Sequence, residues 1–184
     1  MFESIRRFFS GKRESEELDL LPVERDAVKM GDYMLAIAST LSMAGRHEEA
    51  TKAQRLSQAA IPILRLIVAA RNALAHGDDW RQKISSSLAM IDALGAELFT
   101  RDGNGEKVLV TIQDFMEVVQ ERLREAGIGA GGQANPAYYR RYAVGVGEVL
   151  KAMRTVANGS EAGEVALRRA VFSLDELNSQ GAPE

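Results

Sequence analysis

Cysteine is missing from all 184 residues. That removes thiolate zinc sites, iron–sulfur clusters, disulfides and thiol nucleophiles at once. Histidine is nearly as scarce, with only His47 and His76 present, too few for a multi-histidine metal centre. Positive charge does not dominate either. Lys and Arg total 23 against 26 Asp and Glu, for a formal net charge of −3, which is not the basic footprint of a dedicated duplex-DNA binder. The longest apolar run, IPILRLIVAA at 61–70, is broken by Arg65 and is too short to span a bilayer. DGNGE at 102–106 does not make a calcium loop. If Asp102 opened one, the invariant glycine position would hold Lys107 and the bidentate twelfth position Gln113. No phosphate-cradling glycine loop is present, since AVGVGEVL lies within a helical pattern. The Ser85–Ser86–Ser87 run has no histidine near it in sequence. No metal and no cofactor is expected.

What the chain has instead is helical periodicity almost throughout. The expected fold is all-α: a bundle of about five or six helices, with a C-terminal helical hairpin and room for one short β-hairpin near 98–110. Residues 1–12 form an amphipathic segment and 13–21 a polar linker. The bundle occupies 22–126, a glycine-rich linker 127–134, the hairpin 135–178 and a tail 179–184. Pro22 suits a first helical turn, and Gly45 stops the helix that follows. Pro62 must kink or start a helix. The segment from Ile63 to Ala75 is apolar on most sides, the mark of a central buried helix ended by Gly77. Asp78 or Asp79 is expected to cap the next one. Asp102-Gly103 and Asn104-Gly105 suggest tight turns between strands, with Thr111 opening the helix beyond. Asn135-Pro136 combines a cap with a first-turn proline, and Ser160 caps the last helix.

Three stretches carry candidate chemistry. The first is RNALAH, residues 71–76, where Arg71, Asn72 and His76 stand together. This resembles the Arg-x4-His motif of the HEPN domain family, and the resemblance extends over roughly residues 25–100. It implies a metal-independent ribonuclease acting as a dimer, or an inactive relative. His76 would then be the acid/base on the ribose 2′-hydroxyl, Arg71 the phosphate-stabilising group and Asn72 the polar neighbour. A weaker resemblance, at 31–64, is to a single tetratricopeptide-type hairpin, carried by Gly45-Arg46, Glu48-Glu49-Ala50 and Pro62. Helical geometry adds a separate reading. Asn72 and His76 are four apart and share a face, with Arg65 and Gln58 at seven-residue steps before Asn72. Arg71 lies about 140° around the helix from His76. Gln58, Arg65, Asn72 and His76 therefore form a polar seam, which is equally the wet edge of a buried helix.

The second stretch is NPAYYRRY, where Tyr138 and Tyr139 adjoin Arg140 and Arg141, aromatics and cations that could stack on bases and hold phosphates. The same tyrosines also suit the docking face of an amphipathic helix. The third is MFESIRRFF. Phe2, Ile5, Phe8 and Phe9 fall on one side and Arg6 and Arg7 opposite, a pattern for a membrane surface, a partner protein or the chain's own domain. It lacks a signal-peptide core, and a cytoplasmic chain, peripheral at most to a membrane, is expected. With no strong catalytic constellation, the favoured function is a non-catalytic protein-interaction module, an adaptor or a subunit of a larger assembly. Its expected partner is another protein or a second copy. RNA is the alternative.

Overall fold

The computed structural model describes residues 20–127 and 135–179. Among them are seven α-helices: α1 (Pro22–Met43), α2 (His47–Ser57), α3 (Ala60–Leu74), α4 (Trp80–Phe99), α5 (Gly105–Glu125), α6 (Pro136–Ala157) and α7 (Glu161–Ser179). A single 3₁₀ turn, Thr100–Asp102, joins α4 to α5. The expected all-α architecture is what the chain adopts. The calls that fall on residues 1–19, 128–134 and 180–184 lie outside the described residues.

Local chemistry accounts for most helix ends. Pro22 opens α1, and the Glu24 carboxylate reaches back to accept the Leu21 N–H at 3.0 Å. Gly45, in the left-handed region, closes α1, and the Arg46 N–H returns to the Leu41 carbonyl at 2.9 Å. That is the Schellman way of satisfying terminal carbonyls. Asn135 accepts the Tyr138 N–H at 3.1 Å and Pro136 sets the first turn of α6, as the sequence indicates. Asp79 stands at the cap of α4 without a side-chain cap bond, so the expected aspartate cap is positional only.

The strand option at 98–110 is not realised. Asn104 accepts the Lys107 N–H at 2.9 Å and starts α5 at Gly105, six residues before the expected Thr111. Thr111 lies inside the helix, bonding back to the Lys107 carbonyl at 2.8 Å. Val108, Leu109, Ile112, Phe115 and Met116 then fall on one buried face. The register is fixed from α4, where the Asp92 carboxylate accepts the Gly105 N–H at 2.8 Å. Asp92 also takes two bonds from Arg154 of α6, whose Nε donates to Glu106 at 2.5 Å. Burial alone would raise the Asp92 pKa. The Arg154 hydrogen bonds and charge, with the Gly105 N–H, overcome that and hold it below the usual value. Its contribution to stability is therefore present above the unfolded carboxylate pKa, about 4, and is lost as pH falls through the folded value.

α3 is the central helix: it packs on α1, α4, α6 and α7. Ile63, Leu66, Ile67, Ala70 and Ala73 put its apolar faces into a core that also takes Tyr142, Val146 and Leu150 of α6 and Leu167 and Leu174 of α7. The C-terminal hairpin thus shares one core with the preceding helices rather than standing apart.

Candidate functional site

The tyrosines of the second candidate stretch are core residues. Tyr138 and Tyr139 are 0% and 1% exposed, so their rings do not present a stacking surface for bases. The Tyr138 hydroxyl donates to the buried Asp26 carboxylate, and the Tyr142 hydroxyl donates to the Val23 carbonyl at 2.7 Å. Both bonds fasten α6 to the start of α1. Tyr139 stacks on Tyr33, ring centroids 5.2 Å apart. Arg140 pairs with Glu117 at 3.0 Å, and Arg141 is exposed. What looks in sequence like a cationic aromatic patch is an inward tyrosine face with an outward arginine pair.

Burial has a measurable consequence here. It pushes the phenols of Tyr33 and Tyr139 up to about 12, assisted at Tyr139 by Asp26, Tyr33 and Asp32, and raises Tyr142 well above its ordinary value. In the folded chain these three should not ionise at pH 10, whereas on denaturation they should titrate near 10. Because the folded values are the higher ones, their contribution to stability is intact below about pH 10. It fades as pH rises from there through about 12. An ultraviolet titration showing ordinary phenolate formation in the native chain would contradict this burial.

At the C-terminal end of α3 the three HEPN-type candidates diverge. The Arg71 guanidinium hydrogen-bonds Asp175 of α7 through Nη2, and its Nε lies 3.9 Å from Glu24 of α1. One side chain thus ties three helices, and Glu24, 7% exposed, gains a cation beside it. Asn72 is half-buried, with its Oδ1 buried and unbonded. Its side chain packs against Gly77, where a Cβ would lie 2.6 Å from Nδ2. His76 is outside, its side chain 65% exposed and its Nε2 3.6 Å from Glu164 of α7. The polar seam keeps its wet character, since Gln58 and Arg65 are exposed as well.

The end of α3 also differs from the sequence reading in its geometry. His76, not Gly77, occupies the left-handed position, at φ 50°. The His76 N–H returns to the Ala73 carbonyl at 3.1 Å and the Gly77 N–H to the Asn72 carbonyl at 3.1 Å. This is the arrangement glycine makes at the end of α1. A side chain in that region costs on the order of 1–2 kcal/mol, so His76 holds a strained position for which glycine would be the easier residue.

Arg71 and Asn72 line an open groove between α3 and α7, with a volume of ≈ 550 Å³. Leu21, Val68, Leu74, Ala75 and Val171 supply its apolar lining, and Glu24 completes it. Val68 is 43% exposed. On α7 the strip next to Val171 is charged, holding Glu164, Arg168 and Asp175, and Val165 and Phe172, 68% and 62% exposed, lie beyond it on the side of the helix turned away from the core. Sequence reasoning missed this groove.

Comparison with family models, curated proteins and solved structures finds no match. The site must therefore be read from its own chemistry. Among the described residues no cluster of three or more His, Asp or Glu is placed to hold a metal ion. No helix among them is long and apolar enough to cross a membrane.

Proposed function

We propose that the chain is a non-catalytic helical interaction module, a cytoplasmic adaptor or complex subunit that takes a partner's apolar segment in the α3–α7 groove. The observation that carries this reading is the exposure of two large apolar residues, Leu21 at 44% and Val68 at 43%, within the lining of that groove. Large side chains exposed together on a folded surface mark interaction sites more often than single ones do. Arg71 supports it from the other side. Its guanidinium is already paired with Asp175 and Glu24, so it serves the groove wall rather than a free phosphate.

The test is retention of a partner by the tagged full-length chain in its native cells. Val68→Asp and Leu21→Asp should fold normally, because both positions are exposed, and should each lower retention about tenfold or more. That is the scale of an apolar contact replaced by an unpaired charge at an interface centre. Retention equal to the parent chain by both variants would remove the groove from the account.

One observation favours a second reading. His76 is exposed, strained and beside Glu164, and strained side chains cluster at functional positions. Under that reading His76 acts on RNA in the manner the HEPN resemblance implies, with Arg71 first released from its carboxylates or supplied by a second copy.

A further inference from the structure

The groove has a candidate occupant within the chain itself. Leu21, 44% exposed, is both part of the groove lining and the residue at which the preceding twenty join the bundle. We propose that residues 2–9 dock in the α3–α7 groove of their own chain and cover it until a partner displaces them. This inference rests on the interaction-module reading and adds a regulatory element to the same site.

Three properties of the sequence fit this occupant. Phe2, Ile5, Phe8 and Phe9 recur at the three- and four-residue steps of one helical face. Across two turns such a face covers about 10 Å, the length of α3 between Val68 and Ala75. The intervening residues 10–20 are long enough to fold back, with an extended reach of about 36 Å. They are also rich in Ser, Glu, Lys and Arg, a composition that does not compete for the apolar floor. Finally, Arg6 and Arg7 fall opposite the phenylalanines. They are suited to join the partly exposed ion pairs of α7, where Glu164, 48% exposed, already meets His76 and Arg168, and Asp175, 41% exposed, meets Arg71.

Tethering makes this occupant favoured over a free segment of equal affinity. A short flexible linker holds its ligand at an effective concentration on the order of millimolar. A partner must therefore outcompete a local ligand, which sets a threshold on binding without any change in the helices.

The absence of cysteine makes the test clean. In the full-length chain, Phe9→Cys combined with Val68→Cys should form an intramolecular disulfide under mild oxidation. It should form about tenfold or more faster than Phe9→Cys combined with Val118→Cys, which uses a similarly exposed valine on α5. Equal rates for the two pairs would overturn the proposal. A disulfide-linked dimer as the main product would also overturn it, by sending the segment to a second copy. The reaction should be unaffected by vesicles of anionic phospholipid. Loss of the disulfide together with sedimentation on those vesicles would assign residues 2–9 to a lipid surface instead. Failure of the cross-link leaves the partner reading intact, because that reading stands or falls on retention by Val68→Asp and Leu21→Asp.

Discussion

Replacing Arg71 with alanine is expected to lower the stability of the chain by about 2 kcal/mol, seen as a melting temperature about 4–8 °C lower. Glu24 is buried, 7% exposed as a residue, and has one carboxylate oxygen committed to the Leu21 N–H. Arg71 is the cation 3.9 Å from its other oxygen. Removing one member of such a pair leaves the other charge buried, and that cost exceeds the gain the pair made. Partial exposure of Arg71, 27% for its side chain, keeps the figure below that of a fully buried pair. Arg71→Lys should recover little, because a point charge cannot span carboxylates on α1 and α7 as the forked guanidinium does. Asp175→Asn should cost less than Arg71→Ala, since Asp175 is 41% exposed and its pairing is screened by water. A melting temperature unchanged by Arg71→Ala would mean that this clamp contributes nothing.

The larger effect is expected from Gly103→Ala. A Cβ at Gly103 would lie 1.9 Å from the Gly95 carbonyl oxygen, and one at Gly95 would lie 2.4 Å from the Asn104 backbone. These neighbours are main-chain atoms of α4 and of the turn into α5, and neither can rotate out of the way. Relief requires the two helices to separate, which also loosens the Asp92–Gly105 bond and the Arg154 pairs beside it. A loss of about 3 kcal/mol or more follows from overpacking at such a contact, roughly 6–12 °C in melting temperature. Gly147→Ala is the control. Its Cβ would meet only Leu109 Cδ1 at 3.9 Å, so the helical preference of alanine should leave stability equal or slightly higher. A Gly103→Ala chain as stable as this control would show that α4 and α5 do not meet as described.

The same contact explains where the sequence could and could not be read. Helices announced by their own residues were legible: α1 by Pro22, α6 by Asn135-Pro136, and α3 by an apolar run too continuous for a surface helix. The 98–110 region was not, because Asp-Gly and Asn-Gly serve hairpin turns and helix starts alike. What decides between them is a carboxylate at Asp92 and a bare backbone at Gly95, both on the preceding helix. Tyr138 and Tyr139 misled for a related reason. Their spacing is compatible with either side of α6, and only Asp26 and Tyr33 on α1 show which side faces inward.

The RNALAH stretch shows the limit most clearly. Helical spacing alone separates Arg71 from His76, and the structure agrees by sending one toward carboxylates and leaving the other exposed. The identity of those carboxylates was out of reach, since Asp175 lies 104 residues away in the chain. So was the left-handed backbone of His76, a position at which a sequence reader expects Gly77 instead.

We propose that the end of α3 serves as a binding groove rather than as an active site. This is tested most directly by incubating the full-length chain with single-stranded RNA beside a His76→Ala variant, after verifying that both are folded. The expected result is no cleavage that depends on His76, with any trace activity equal in the two. Cleavage by the parent chain that disappears in His76→Ala, at unchanged melting temperature, would contradict it.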